Sequence, residues 1–458
     1  MTWSQIYNSD VISFNTFGTT TIVLNSREAA TELMEKRSRI YSSRPPAPML
    51  RELMGWDWTL VFQSYGSKWQ ERRKLFVKEF NVSQPDRHRP QEMKAVTTLL
   101  ENLSHTPDDF LAHLRYMAGA IIMEVAYGIE ILPRGDPYIE TASRALDGVL
   151  HATVHGAFWV DYLPVLQYIP DWFPGASFKR KAKIWKEYTV EMLNKPYQEV
   201  MSHLASGNII PCFVYNCLQN INNKKDIAYQ ETVIQEVAGN LYLAGTDTTV
   251  AALSSFFLAM VQNPEVQRKA QEDLDRVVGS GRLPNHDDQS NLPYVTAIMY
   301  EVLRTQPVVP LVVPHYTTED DYYNGYFIPK NSVVIANVWA IDHDEERYPD
   351  PNTFNPSRWL TPNGSMIKSH RRDIMVNFGF GRRICPGMHM GLSSVWLTIA
   401  SVLSTFDISE KIGENGKIVG VTGEYKPSSH NHPTPFECSI KVRPAKYEKL
   451  IHSLSTPE

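Results

Sequence analysis

Cysteine is scarce in this sequence, whose four cysteines are Cys212, Cys217, Cys385 and Cys438. Four scattered thiols are too few for a disulfide framework, so they indicate a reducing compartment. Cys212 and Cys217 lie close together without a histidine or a second cysteine pair nearby in sequence, which argues against a metal site there.

Strong charge and long apolar runs are also missing. The formal net charge is −5, so no overall positive field favours nucleic acid as a partner. No window offers about 18 consecutive apolar residues, and the N-terminus has neither a basic region nor an apolar run, so no membrane span is predicted. The chain has 458 residues, 43% of them hydrophobic, and no composition shift marks a boundary. We therefore expect residues 1–458 to form one domain with a large core.

One cysteine, Cys385, stands in a glycine-rich turn before a predicted helix. Residues 378–387 read Phe-Gly-Phe-Gly-Arg-Arg-Ile-Cys-Pro-Gly. The glycines let the backbone approach a flat or bulky group, and Pro386 suits the start of a helix. At a helix N-terminus, unpaired N–H groups and the dipole favour the thiolate, which binds metals or attacks electrophiles. The helix is predicted from apolar residues at three-and-four spacing, namely Met388, Leu392, Val395, Trp396, Ile399 and Leu403.

Three interpretations compete for Cys385. A buried structural cysteine would explain neither the glycines nor the two arginines. A dinucleotide-binding loop would need a third glycine where Ile384 stands. The turn resembles the haem-binding signature of the cytochrome P450 family, Phe-x-x-Gly-x-Arg-x-Cys-x-Gly, at Phe378, Gly381, Arg383, Cys385 and Gly387. The resemblance implies that this turn contacts haem b and that Cys385 is the axial thiolate ligand of its iron.

Residues 68–78 resemble the family helix that reaches a haem propionate. Trp69 and Arg73 stand four apart, on one face of this predicted helix, although an exposed basic helix would explain the arginines equally well. By the resemblance, Trp69 belongs to the haem site, and Arg73, His315 and Arg383 hold the two propionates by charge-assisted hydrogen bonds. The remaining basic residues would form a local face for an acidic electron donor: Lys68, Arg72, Lys74 and Lys78.

Residues 230–262 form the longest predicted helix, and residues 244–249 in its middle read Ala-Gly-Thr-Asp-Thr-Thr. These residue types form helices poorly, so their position indicates a function. Small residues let a helix approach a cofactor, and threonine hydroxyls that bond back to carbonyls can open a groove for O2 and water. The segment resembles the family's Ala/Gly-Gly-x-Asp/Glu-Thr-Thr/Ser motif on the distal haem face. By that resemblance, Asp247 and Thr248 relay protons for dioxygen activation.

A buried ion network is predicted behind the cysteine turn. Glu301 and Arg304 lie three apart in a predicted helix, a spacing that is commonplace by itself. Residues 354–359 resemble the family's Pro-x-Arg-Phe element, with Trp359 in the last place. The resemblance implies that Glu301, Arg304 and Arg358 form a buried network, in which the loss of one partner strands a charge.

Two segments leave alternatives open. The large apolar residues at 54–62 either fold over a pocket or belong to the core. The prolines and aromatics at 161–175, followed by a basic cluster at 179–183, either lie on an anionic membrane surface or precede a solvated helix, which is the commoner case. His151 and His155 could clamp zinc, but they enclose no glutamate and lack an apparent third ligand.

The other patterns predict secondary structure only. Helices are expected at 28–35, 108–128, 139–155 and 292–304, and hairpins at 12–24, at 322–336 and between 419–429 and 434–440. The apolar run at 308–313 resembles the family's strand that crosses beside the haem and contacts substrate.

The motifs occur in family order over nearly the whole chain, so it is identified as a member of the cytochrome P450 family. It is most similar to eukaryotic microsomal members, in particular the fungal O-methylsterigmatocystin oxidoreductase-like ones. The resemblance implies a mainly α fold with small β-sheets (α+β), in which a long distal helix and the proximal cysteine loop sandwich the haem. It implies a monooxygenase that inserts one atom of O2 into an apolar small molecule, such as a terpenoid, steroid, polyketide or aromatic, in secondary metabolism or xenobiotic oxidation.

Partners and location follow from the same resemblance. NADPH–cytochrome P450 reductase would supply electrons, and the cytoplasmic face of the endoplasmic reticulum membrane would be the location. The usual membrane anchor and proline-rich hinge are expected to be missing here, because Trp69 comes too early to leave room for them. An isomerase or dehydratase that needs no external electrons stays an alternative, against which Asp247 and Thr248 argue, and a non-enzymatic haem sensor or carrier is a third.

Overall fold

The computed structural model of this protein describes residues 2–80, 85–154, 156–223, 225–413 and 416–443. Helices predominate within them and the sheets are small, so the predicted α+β class is confirmed. The α-helices are α1 (Thr2–Tyr7), α2 (Arg27–Ala30), α3 (Ser38–Tyr41), α4 (Ser67–Glu79), α5 (Arg89–His105), α6 (Phe110–Tyr127), α7 (Pro137–Ala152), α8 (Ser177–Ala205), α9 (Phe213–Leu218), α10 (Ile227–Gln262), α11 (Pro264–Val277), α12 (Pro293–Thr305), α13 (Val338–Asp342) and α14 (Met388–Thr405). Short 3-10 helices lie at Pro85–His88, Pro107–Asp109, Trp159–Asp161, Pro164–Tyr168, His286–Asn291, Pro356–Trp359, Lys368–Arg372, Ile374–Phe378 and Gly381–Arg383, and π turns at Thr31–Lys36 and Met49–Leu53.

The described strands form three small sheets. Their bounds are β1 (Val11–Thr16), β2 (Thr19–Leu24), β3 (His315–Tyr316), β4 (Asp321–Tyr323), β5 (Tyr326–Ile328), β6 (Val333–Ala336), β7 (Phe406–Ile412), β8 (Ile418–Val419) and β9 (Cys438–Val442). The sheet orders are β1-β2-β6-β3, β4-β5 and β8-β7-β9. In the first sheet β1 and β2 are antiparallel, with Val11 opposite Leu24, while β2 and β6 are parallel.

Helix α10 runs through the core, and most of its residues are buried. Helix α6 packs closely along it, because Gly245 of α10 lies against Ile122 of α6. A Cβ on Gly245 would come within 2.9 Å of the Ile122 Cγ1 atom. By length and composition α10 could cross a membrane, but 67% of its apolar window is buried inside the protein, as in a core helix.

The predicted helices are confirmed, with ends that move by a few residues. Ser26 caps α2 by accepting a hydrogen bond from the Ala29 N–H, and the helical path then continues as the π turn at Thr31–Lys36. The residues at 54–62 belong mainly to the core, since Met54, Trp56 and Trp58 are buried. His155 lies outside the described residues.

Three β predictions were wrong. Residues 308–313 form no strand, because Pro310 has no N–H to donate and Val312 adopts a φ of 48°. The hairpin predicted over 322–336 ends at β5. It turns at Asn324 and Gly325, whose positive φ values suit a two-residue turn, whereas β6 joins β2 and β3 in another sheet.

The late hairpin was also predicted with the wrong partners. The segments 419–429 and 434–440 meet only at a single bridge between Tyr425 and Pro433. Instead, β8 and β9 both pair with β7, a strand that the sequence analysis missed.

Candidate active site

The cysteine turn depends on glycines at two backbone positions. Gly379 and Gly381 have φ values of 85° and 54°, in the left-handed region that side chains avoid. A Cβ on Gly381 would also lie 2.3 Å from the Met34 carbonyl oxygen. The turn closes when the Cys385 N–H donates to the Phe378 carbonyl oxygen at 2.7 Å. Phe378 therefore helps to position Cys385 through its main chain.

The surroundings of Cys385 influence the protonation of its thiol. Its side chain is accessible to solvent, yet burial by the surrounding protein raises the pKa of its thiol, which the Gly387 N–H and the charge of Arg73 only partly offset. The expected thiolate is thus not favoured by the protein alone, because desolvation disfavours the charged form and α14 begins only at Met388. A metal ion would reverse this balance, since a coordinating thiol loses its proton.

Arg383 fills the space between the cysteine turn and the N-terminal segments. It is 9% exposed, and its guanidinium lies 4.4 Å from the centre of the Trp69 ring. The Trp69 Nε1–H donates to the Leu60 carbonyl oxygen at 3.2 Å. Trp69 therefore positions Arg383 here, and its direct contact with a propionate stays a prediction. Arg383 itself donates to the main-chain carbonyl oxygens of Ser42, Leu60 and Gln63 at 2.7, 3.0 and 2.7 Å.

Two further arginines stand beside Arg383. Arg73 donates to the Ile384 carbonyl oxygen at 2.6 Å, immediately before Cys385. Arg44, which the sequence analysis missed, is 8% exposed. It donates to the carbonyl oxygens of Val61, Val313 and Pro314 at 2.9, 2.6 and 2.9 Å. We call Arg44, Arg73 and Arg383 the arginine cluster.

The arginine cluster is strongly positive and has no carboxylate in an ion pair with it among the described residues. Burial lowers the pKa of Arg383 to about 8, with repulsion from Arg44 and Arg73 adding to the effect. Burial also lowers the pKa of Arg44 to about 9 and lowers that of Arg73. Desolvated cations of this kind are costly unless an anion pairs with them.

His315 lies next to the arginine cluster and is 3% exposed. Its Nδ1 atom is 2.7 Å from the Tyr41 carbonyl oxygen. Burial, together with the charges of Arg44 and Arg383, holds the pKa of His315 well below its usual range, so its imidazole is neutral. The cluster and His315 suit a dianion such as the two propionates of haem, and Cys385 offers a soft ligand for iron. The residues present therefore fit haem.

The basic face predicted on α4 was wrong at one residue, Arg72. Arg72 is 1% exposed and forms an ion pair with Glu236 of α10, so it does not belong to a docking surface. Lys68, Lys74 and Lys78 remain exposed.

The middle of α10 has the predicted threonine contacts. The hydroxyls of Thr246 and Thr248 donate to the carbonyl oxygens four residues before them, at 3.2 and 2.8 Å, while the helix stays continuous from Ile227 to Gln262. Gly245, next to them, lies against Ile122 of α6, and the predicted approach of this segment to a cofactor stays a prediction.

Asp247 meets two histidines that the sequence analysis missed. Its Oδ2 atom lies 2.8 Å from His430 Nδ1 and 3.1 Å from His432 Nε2. Burial alone would raise the pKa of the Asp247 carboxyl, but the hydrogen bonds and charges of the two histidines hold it far below its usual range. The His-x-His spacing in the sequence was the available signal, but nothing local linked it to a helix some 180 residues earlier. We call Asp247, His430 and His432 the Asp-His-His cluster.

The structure brings Glu301, Arg304 and Arg358 together. Both oxygens of the Glu301 carboxylate bond to Arg304, at 2.9 and 2.8 Å, and Arg358 Nε donates to it at 3.0 Å. Trp359 also donates, from Nε1 at 2.9 Å. The tryptophan in place of the family's phenylalanine thus adds a donor to the network. Helix α12, which carries Glu301, contacts the 3-10 helix Ile374–Phe378 that leads into the cysteine turn.

Comparison with known proteins agrees with this geometry. The profile of the family described as "Cytochrome P450" matches residues 3–419. The chain is 43% identical over 457 residues to cytochrome P450 monooxygenase 98 of Postia placenta, covering 99% of this chain and 87% of that protein. It is 40% identical over 450 residues to tryptamine 4-monooxygenase of Psilocybe cyanescens (98% and 89% covered). It is 41% identical over 451 residues to cytochrome P450 monooxygenase ple1 of Rhodocybe pseudopiperita (98% and 86% covered). These relatives are fungal, as the resemblance implied.

Proposed function

Because this chain belongs to the cytochrome P450 family and is a haem-dependent monooxygenase of secondary metabolism, we propose that Cys385 binds the haem iron and that residues 1–458 form one catalytic domain. The observation that carries the proposal is the position of Cys385 beside the arginine cluster. Arg73, Arg383 and Arg44 would pair with the propionates, next to the neutral His315. Trp69 would hold Arg383 in place, and Phe378 and Gly387 would shape the turn against the haem.

The proposed substrate is an apolar small molecule. Valines and a leucine at 308–313 favour a terpenoid, steroid, polyketide or aromatic. One relative is named tryptamine 4-monooxygenase, which makes an indole-type aromatic a candidate within this class. An isomerase or dehydratase is not favoured, because the relatives are named monooxygenases and the chain has the Asp247-Thr248 pair.

The haem, when bound, supplies the redox and oxygen-insertion chemistry. The protein chain delivers the protons that this chemistry needs and orients the substrate. The Thr248 hydroxyl donates to the Ala244 carbonyl oxygen, which leaves its oxygen lone pairs free to accept a hydrogen bond. To relay a proton, the hydroxyl would turn away from this carbonyl, give up its own hydrogen and take another in its place. Asp247 lies within hydrogen-bond distance of His430 and His432, so a proton can pass from an imidazole to the carboxylate and on toward Thr248.

Replacing Thr248 by alanine is expected to uncouple NADPH consumption from product formation by at least about tenfold, because the proton path loses its last hydroxyl. The assay contains haem-loaded enzyme, NADPH, NADPH–cytochrome P450 reductase and an extract of the source cells. Mass spectrometry follows products one oxygen heavier, and NADPH absorbance gives the coupling ratio. The matched control is Thr232→Ala, since Thr232 lies in the same helix and donates to Ala228 at 2.9 Å.

An unchanged coupling ratio in Thr248→Ala would contradict the relay. Product that forms without NADPH and reductase would instead favour the isomerase class. The reductase would dock near Lys68, Lys74, Lys78 and Arg382, the last of which is exposed beside the cysteine turn.

We also propose a membrane-facing surface, consistent with location at the cytoplasmic face of the endoplasmic reticulum. The tip of the β1-β2 hairpin meets the aromatic loop, because the Phe17 ring lies 5.2 Å from that of Trp159. Both side chains are exposed, and so is Trp172 at 79%. Exposed basic residues follow at Arg180, Lys181 and Lys183, where anionic headgroups would meet them.

The double variant Trp159→Ser/Trp172→Ser is expected to weaken binding to vesicles containing phosphatidylserine by at least about tenfold, since about 1.4 kcal/mol of lost apolar burial changes a partition constant that much. Vesicle sedimentation measures the bound fraction. Ile412→Ser/Ile418→Ser removes comparably exposed apolar groups from the β7-β8 pair and serves as the control. Equal losses in the two double variants would contradict a defined surface.

A further inference from the structure

The Asp-His-His cluster joins two distant segments of the chain around one small volume. Asp247 comes from the middle of α10, and His430 and His432 come from the turn before β9. One imidazole offers Nδ1 and the other Nε2, and both atoms point at the same carboxylate oxygen, at 2.8 and 3.1 Å. The three ligand atoms all lie within 4.8 Å of one another. We propose that the Asp-His-His cluster is a binding site for a divalent transition-metal ion, specifically Zn²⁺.

The spacing of the three atoms suits zinc. Zinc binds imidazole nitrogen and carboxylate oxygen at about 2.0–2.1 Å, and in a tetrahedral site two such ligands stand about 3.3–3.4 Å apart. The nitrogen-to-oxygen distances would therefore lengthen by a few tenths of an ångström. The ion takes the place of the hydrogen that each nitrogen shares with the carboxylate, and each neutral imidazole then carries its proton on the other ring nitrogen.

The ligands are held in place before any ion binds. Asn431, between the histidines, donates from its main chain to the Val308 carbonyl oxygen at 2.9 Å and from its side chain to Gln306 Oε1 at 2.9 Å. The Lys426 N–H donates to the His432 carbonyl oxygen at 2.9 Å. Because the turn is anchored on both sides, little conformational freedom is lost on binding.

Charge and access favour a cation. Within the described residues, the ion pairs of Asp247 are those with His430 and His432, so no lysine or arginine competes for its carboxylate. The three side chains are 21–25% exposed, which leaves a path for the ion and room for water as the fourth ligand. The two imidazole nitrogens favour zinc over Mg²⁺ and Ca²⁺, which prefer oxygen ligands alone.

Zinc at this site would also regulate the enzyme. This consequence rests on the proposed function, in which Asp247 passes a proton toward Thr248. An ion bound to the Asp247 carboxylate and to both imidazoles removes the three groups from the proton path, so zinc should inhibit turnover. Removal of the ion by a chelator should restore it.

The binding test uses the haem-loaded full chain and ZnCl2 in isothermal titration calorimetry. We expect one equivalent of tight binding, weakened at least about tenfold in His430→Gln and in His432→Gln, because even second-shell losses cost about 10–100-fold in affinity. The matched control is His151→Gln, since His151 is an exposed histidine with its own nearby carboxylate, Asp147. X-ray absorption at the zinc edge should find nitrogen and oxygen ligands at about 2.0–2.1 Å.

The two proposals can fail separately. The zinc site would be overturned if the wild-type chain bound Zn²⁺ no more tightly than His430→Gln and His432→Gln do. The carbon monoxide spectrum of each variant must be intact in that comparison. If Zn²⁺ binds tightly but turnover is unchanged, the zinc site is supported and the role of Asp247 in proton transfer is overturned.

Discussion

Replacement of Cys385 by alanine is expected to abolish monooxygenase activity and the thiolate-type spectrum of the carbon monoxide complex. Alanine offers no ligand atom, and the other described cysteines, Cys212, Cys217 and Cys438, are placed in other parts of the fold. The arginine cluster is untouched, so haem can still associate through its propionates. Absorbance of the reduced carbon monoxide complex reports the ligand, and product analysis with NADPH and reductase reports the activity.

The fold should survive this change, because the turn is closed by the main-chain N–H of residue 385 and by Gly379 and Gly381, not by the thiol. Circular dichroism checks this directly. Cys217→Ala is the control, since Cys217 is a half-buried thiol whose pKa is raised to about 12 by burial, and it should keep both spectrum and activity. Retention of the thiolate-type spectrum in Cys385→Ala would refute the ligand assignment.

The geometry of the cysteine turn could be predicted from the sequence because it is local. Glycines mark the left-handed positions, and the apolar stripe marks the helix that follows. The protonation state of Cys385 could not be predicted in the same way. It depends on how much protein surrounds the sulfur, and that is set by segments far away in the chain.

The arginine cluster was likewise predictable from the sequence only where local motifs mark its members. Arg73 and Arg383 belong to motifs with fixed spacing, whereas Arg44 stands in a proline-rich segment with no helical or strand period. Its role follows from tertiary contacts with the carbonyl oxygens of Val61 and Val313. An arginine amid apolar residues and prolines is a signal that could have drawn attention to it, because a buried guanidinium needs partners.

The distal side of the site was predicted in part. The poor helix formers in α10 marked a functional segment, and the threonine hydroxyls bond back as expected. The partners of Asp247 come instead from a turn whose position depends on the pairing of β9 with β7. The sequence pattern did not reveal β7, so the predicted pairing of the late strands with each other left His430 and His432 far from α10.

Glu301→Gln is expected to lower the free energy of unfolding by about 3–5 kcal/mol, because it leaves buried charge without its partner. Glu301 and Arg304 are completely buried, and Arg358 is 11% exposed. The carboxylate also accepts hydrogen bonds from the Asn355 N–H and from Trp359, both at 2.9 Å. A neutral amide has one acceptor oxygen, and its NH2 group would face donors.

Urea denaturation followed by tryptophan fluorescence measures this loss, and the carbon monoxide spectrum shows whether the cysteine turn loosens with it. The control is Glu191→Gln, because Glu191 forms an exposed i,i+4 pair with Lys195 at 3.3 Å. Exposed pairs of this kind contribute about 0–1 kcal/mol. The loss of unfolding free energy in Arg358→Ala should lie between those of the two variants. Arg358 lies at the edge of the network, where water can partly replace its hydrogen bonds. If Glu301→Gln is as stable as Glu191→Gln, the network does not hold α12 against the 3-10 helix that leads into the cysteine turn.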